Sequence, residues 1–191
     1  MATNTYTATK TINGTEYTCQ FNGISAALQA VDNSYIDGST NTSLEKLSKY
    51  LFDYVIVSPR VSIDDFGADK IGETQTKKIG DREYTVKFAG MLSALRAIDN
   101  SYIDGSSNTS VEKLSKYLFE NIVVTPENLS IDDFDSMDEF NEVVSFAREA
   151  MQGWGAMGDF NELVAFAREV MQGNFRNKAV KPKSATKESK E

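Results

Sequence analysis

One phrase occurs twice in this chain. "DNSYIDGSTNTSLEKLSKYLF" runs from Asp32 to Phe52, and "DNSYIDGSSNTSVEKLSKYLF" runs from Asp99 to Phe119. The two differ only at Thr40/Ser107 and Leu44/Val111. The duplication extends outward, so that Tyr17, Asp32, Tyr50 and Pro59 recur 67 residues later as Tyr84, Asp99, Tyr117 and Pro126. One extra residue then turns "SPRVSIDDF" into "TPENLSIDDF", and Phe66 maps to Phe134. Whatever local structure one copy adopts, the other must adopt too. The first unit spans residues 5–66 and the second 74–134, joined by a Gly-containing linker at 67–73.

A shorter duplication fills the last third. "FNEVVSFAREAMQG" (Phe140 to Gly153) is followed at a spacing of 20 by "FNELVAFAREVMQG" (Phe160 to Gly173). The first long copy has no such segment directly after it. Both trailing segments sit at the end, at 136–175, as a candidate helical hairpin.

Each unit reads as α+β. "TATKTINGTEYTCQF" is a hairpin, because Asn13-Gly14 tolerates the positive φ angles of a two-residue turn. Tyr17, Cys19 and Phe21 alternate with polar residues, the period of a half-buried strand. Tyr84, Val86 and Phe88 repeat that face after a Gly80-Asp81 turn. Ile24, Ala27, Leu28, Val31 and Tyr35 make one apolar helical stripe, repeated by Met91, Ala94, Leu95, Ile98 and Tyr102. Capping boxes at Thr42/Glu45 and Thr109/Glu112 predict a second helix. "VIVSP" and "IVVTP" predict a short extended segment ended by proline.

The trailing helices are predicted with a capping box at Ser136/Glu139 and glycine stops at Gly153 and Gly173. Phe146 and Phe166 widen their apolar stripes. Each helix therefore buries a broad face or meets a partner on a second one. The missing helix of the first unit leads to a structural expectation: the first trailing helix packs on the second unit, and the second reaches back to the first. The alternative is a simple hairpin packed on the second unit alone.

Catalytic chemistry finds few residues here. The chain has no histidine and one cysteine, Cys19, whose counterpart is Val86. The commonest general base and the commonest zinc ligand are both missing. No enzymatic activity, cofactor or metal is expected. "DNSYIDGS" fails as a calcium loop: with Gly38 in the sixth place, the twelfth is Leu44 where a bidentate Glu is needed. "SIDDFDSMDEFNE" (Ser130 to Glu142) is rich in carboxylates, which suits the start of a helix or an acidic docking surface. The Asn-x-Ser/Thr sites read as turns and caps. No P-loop, nucleophile elbow or dinucleotide fingerprint occurs.

Charge and hydropathy set the class of partner. The net charge is -8, yet 176–191 carries six basic and two acidic residues, or +4. The other 175 residues carry 14 basic and 26 acidic groups, or -12. An acidic body is a poor match for nucleic acid or an anionic membrane, and the polar basic tail is expected to be disordered. No apolar run approaches the roughly 20 residues of a membrane span. "MATNTYTATK" lacks the apolar core of a secretion signal, so the expected location is the cytoplasm. The candidate partner-binding residues are Phe146, Met151, Trp154, Phe166 and Met171. Methionine packs adaptably, and Trp154 in "GWGAMG" is either a packing residue or a binding anchor.

An ordered set of phrases then carries a resemblance. "YLFENIVVTP", "IDDF" and "MDEFNEVVSFARE" follow one another in the second unit and its trailing helix, with "REVMQGNFR" and a Lys-rich tail after the second trailing helix. This resembles the tail assembly chaperones of long-tailed phages of Gram-positive bacteria. The likeness covers about Tyr84 to Lys183, and by repetition most of the chain. It implies a small α-rich protein of the host cytoplasm. Such a protein binds the long, aggregation-prone tape measure protein before the tail tube polymerises, and it has no enzymatic activity. The doubling departs from the family's single copy. It fits two binding sites or a fused dimer, and the near-identity of the repeats fits a recent duplication or an engineered tandem. Self-association and contact with the tail tube protein are further expectations. The competing readings are an acidic phage-encoded inhibitor of a host nucleic-acid-binding enzyme, and a minor tail structural protein.

Overall fold

The computed structural model describes residues 6–174. The predicted basic tail 176–191 and the outermost residue of each flanking prediction, Thr5 and Phe175, lie outside the described residues. The described chain is mixed α and β, with six α-helices and two three-stranded antiparallel sheets.

In the first sheet, β1 (Tyr6–Ile12) pairs with β2 (Thr15–Phe21), and β2 pairs with β3 (Ile56–Ser58). Ile12 lies opposite Thr15, so the hairpin loop is Asn13-Gly14, both at positive φ (46° and 79°). The second sheet repeats this with β4 (Thr74–Ile79), β5 (Arg82–Lys87) and β6 (Val123–Thr125). The predicted inner face holds: Cys19, Tyr84, Val86 and Phe88 are fully buried, and Tyr17 and Phe21 nearly so. The prolines after β3 and β6 both follow cis peptide bonds.

Between the strands come α1 (Ile24–Asp32) and α2 (Leu44–Tyr50), which continues as a π-helical turn over Leu51–Val55. Their counterparts are α3 (Met91–Asn100) and α4 (Val111–Asn121). The caps of α2 and α4 are Ser43 and Ser110, one residue later than predicted. The reason is that Thr42 and Thr109 are held in bridges to Tyr35 and Tyr102. The serine hydroxyls accept from the Lys46 and Lys113 amides. The repeated loop is a structural brace. Lys46 Nζ donates to the Tyr35 carbonyl at 2.9 Å and Lys113 Nζ to that of Tyr102 at 3.0 Å.

The trailing helices are α5 (Met137–Met151) and α6 (Ala156–Met171). They do not form a separate hairpin unit. α5 packs on β4, β5 and α4, whereas α6 packs on β1, β2 and the π-helical turn. Phe160 stacks on Phe52 at 5.8 Å and meets Phe66 edge-on at 5.6 Å. Phe140 does the same work against Phe119 and Phe134 at 6.1 and 5.5 Å. Each sheet has one apolar face and needs one helix to cover it. The cover of the first sheet is supplied from the far end of the chain.

The expected linker at 67–73 is built into the structure. It contains a 3-10 turn at Ala68–Lys70, and the Gly72 amide donates to the Phe88 carbonyl at 2.9 Å. The Phe88 ring and Ala156 crowd this segment. A Cβ on Gly67 would lie 2.8 Å from the Ala156 Cβ and 3.0 Å from the Phe88 ring, and a Cβ on Gly153 would lie 2.9 Å from that ring, so both glycines are places of close approach.

The units meet through α3 and the N-terminal end of α2. Met91 and Leu95 are buried in the core of the first unit, while Ala94 and Ala97 face the core of the second. Asp99 accepts from the Leu44 and Glu45 amides at 2.8 and 3.0 Å and from the Ser43 hydroxyl at 2.6 Å. Arg96 donates twice to the Glu45 carboxylate, at 3.0 and 3.1 Å. Asn41 reaches across to the Ser106 carbonyl at 2.6 Å.

Candidate interaction surface

Cys19 is fully buried, and burial pushes its thiol up to about 12, far from a nucleophile's range. Among the described residues no group of three or more Cys, Asp or Glu side chains is placed to hold a metal ion. Three carboxylates of the acidic stretch from Ser130 hold the fold together. Asp133 and Ser130 form a capping box, Glu139 accepts from the Tyr84 hydroxyl at 2.8 Å, and Glu142 pairs with Lys77 at 2.9 Å. Ser136 caps α5 through the Asp138 amide at 3.1 Å. The predicted box with Glu139 does not form there, because Tyr84 takes that carboxylate.

Four of the five candidate partner-binding residues are core. Phe146 and Met151 lie in the second core, and Phe166 and Met171 in the first. The widened stripes meet second partners inside the molecule: α5 touches α3 and α4 as well as its sheet, and α6 touches the π-helical turn. Only Trp154 borders the surface. It sits half-buried at positive φ (45°) between α5 and α6, beside a crevice of about 380 Å³. Tyr17, Asp65, Asp69, Lys70 and Asp159 share that crevice. Lys70 Nζ donates to the Gly153 and Trp154 carbonyls, both at 3.3 Å, which clamps the turn. Burial first, then the Asp159 carboxylate, raises the Tyr17 hydroxyl above its ordinary range.

The exposed apolar side chains lie elsewhere. A notch of about 180 Å³ at the start of α5 is lined by Ile131, Phe134, Met137 and Phe140, and Met137 is 68% exposed. The second patch is on α1. Its predicted stripe is only half covered: Ala27 and Val31 pack on the core, but Ile24 and Leu28 are each 60% exposed. Periodicity marks a face as apolar without saying whether a partner lies against it. Unequal burial of two nearly identical repeats is the signal that finds this face, and it is visible only once the fold is known.

Among the described residues no helix is long and apolar enough to cross a membrane. None of the family models, curated proteins or solved structures compared with the chain matches it.

Proposed function

We propose that the chain is a non-enzymatic phage tail assembly chaperone, acting in the host cytoplasm to hold a tape measure protein soluble until the tail tube forms. The observation that carries this is the ordered set of phrases "YLFENIVVTP", "IDDF" and "MDEFNEVVSFARE". Two of those phrases contribute the notch at the start of α5: Ile131 and Phe134 belong to one, and Met137 and Phe140 to the other. An amphipathic helix from a long helical partner is the kind of segment such an apolar notch accepts. Met137 supports this role because an exposed, unbranched thioether side chain adapts to varied partners.

The test is co-expression with the tape measure protein of the same phage, scored by its solubility and co-elution on size exclusion. The expected result is a soluble partner only when this chain is present. Met137→Glu is expected to lower co-elution at least about tenfold, because a charge would then be buried against the partner. Its own helix content should not change, since Met137 is exposed. A partner that stays insoluble with the wild-type chain would overturn the proposal.

A further inference from the structure

We propose that copies of this chain associate head to tail, the α1 face of one docking on the N-terminal end of α4 of the next, as α3 docks on α2 within the chain. The inference does not rest on the tape measure reading, although its receiving surface shares Ile131 with the notch at the start of α5. It rests on a contact that the molecule makes once and is equipped to make twice.

The docking face of α3 consists of Met91, Leu92, Leu95, Arg96 and Asp99, which the repeat maps onto Ile24, Ser25, Leu28, Gln29 and Asp32 of α1. Met91 and Leu95 are buried, at 0% and 1% exposure, because the first unit lies against them. Ile24 and Leu28 hold the same positions and are each 60% exposed. The face is thus apolar in both copies and covered in only one.

The receiving surface is duplicated as well. Within the chain it is Ser43, Leu44 and Glu45 at the start of α2, flanked by Ile63. Ser110, Val111, Glu112 and Ile131 stand at the same places in the second unit. Val111 is 62% exposed, and Ile131 is half-buried where Ile63 is 6% exposed. Among the described residues no carboxylate reaches the Val111 and Glu112 amides as Asp99 reaches those of Leu44 and Glu45. An incoming Asp32 supplies that carboxylate, and Asn108 is positioned to bond the incoming Ser39 carbonyl as Asn41 bonds that of Ser106. Gln29 replaces Arg96, so the contact between copies lacks the Arg96–Glu45 ion pair and is weaker than the one within the chain.

The donor and acceptor surfaces are different patches on opposite units. The contact is therefore heterologous, and it grows into a ring or a filament rather than stopping at a two-fold dimer. The occupant is a second copy of this chain.

Sedimentation velocity and light scattering on the purified full chain, from micromolar to submillimolar concentration, test it. The expected result is concentration-dependent assembly beyond a dimer. Leu28→Asp removes the donor and Val111→Asp the acceptor, and each alone is expected to be monomeric with an unchanged circular dichroism spectrum. Mixed together, the intact α1 of the Val111→Asp chain meets the intact α4 of the Leu28→Asp chain, and the mixture forms a one-to-one dimer that cannot extend. Asp32→Asn weakens assembly by at least about tenfold, the share of a charged hydrogen bond at a helix start. A wild-type chain that is monomeric throughout, a single variant that assembles as the wild type does, or a mixture that stays monomeric would each overturn the proposal. So would an unchanged association in Asp32→Asn.

Discussion

Tyr17 and Tyr84 occupy the same place in the two hairpins and meet different chemistry. The Tyr84 hydroxyl donates to Glu139 at 2.8 Å. At the matching position beside Tyr17 the chain has Asp159, one methylene shorter, and that carboxylate instead accepts from Asn13 Nδ2 at 2.9 Å. Burial, then the hydrogen bond to Glu139 and its negative charge, push the Tyr84 hydroxyl up to about 12. The phenol of an unfolded chain titrates near 10. Between these values the unfolded state has lost a proton that the folded state keeps, so stability falls as pH rises through that window. The steepness is up to about 1.4 kcal/mol per pH unit for this one group. Tyr84→Phe should therefore be less stable than the wild type at neutral pH, by about 1 kcal/mol for the lost hydrogen bond. Its alkaline decline should be shallower. Urea unfolding at a series of pH values between neutrality and about 12 checks both. Parallel declines in the two proteins would show that Tyr84 does not carry the effect.

Single helices show where sequence patterns inform and where they stop. The hairpin turn at Asn13-Gly14, the inner face of β2 and the extents of α5 and α6 are legible in the residues, because each depends on local geometry. The return of α6 to the first sheet is legible only through the repeat, as a missing helix that had to be found elsewhere. The capping serines were displaced by one residue because a bridge within the loop claims the threonine first. Exposure of α1 was not legible at all. Ile24 and Leu28 satisfy the same periodicity as Met91 and Leu95, and only the position of the other unit distinguishes them. The same limit applies to the candidate binding residues, four of which lie in the chain's own cores. A broad apolar face on α5 or α6 looks alike whether it meets a foreign helix or the chain's own. Phe160 gives the clearest test at this scale. It is 1% exposed and packed between Phe52 and Phe66. Phe160→Ala is expected to cost about 3–5 kcal/mol, the usual range for a buried phenylalanine. Amide exchange should show the loss of protection in β1, β2 and the π-helical turn, with β4 and β5 affected less. Equal loss in both sheets would mean that the two cores unfold as one.

At the scale of the molecule the two cores differ in how far along the chain they draw their residues. The buried core of the second unit runs from Ile79 to Met151, with Trp154 and Met157 at its edge, so every element it needs is continuous in sequence. The core of the first unit takes Ile12 through Phe66, then Met91 and Leu95, then Ala156 through Met171. Its closing helix arrives after the whole second unit has been made. Long-range closure of this kind is slow, because the intervening loop must be ordered before the contacts reward it. The second unit is therefore expected to form first and to serve as the frame that returns α6 to β1 and β2. A direct consequence concerns fragments. A chain spanning 67–158 contains its sheet, both of its helices and its covering helix α5, and is expected to fold with a cooperative urea transition. A chain spanning 1–73 lacks the side chains of Phe160, Leu163, Ala167, Val170 and Met171, all nearly or fully buried in the intact protein. It is expected to remain unfolded alone. Joining 1–66 to 154–174 through a short flexible linker restores the missing helix, leaving only Met91 and Leu95 of the first buried core unsupplied, and should restore folding, read by circular dichroism and amide proton dispersion. A cooperative transition in 1–73 would show that α6 is dispensable to the first core, and an unfolded 67–158 would show that the second unit depends on the first.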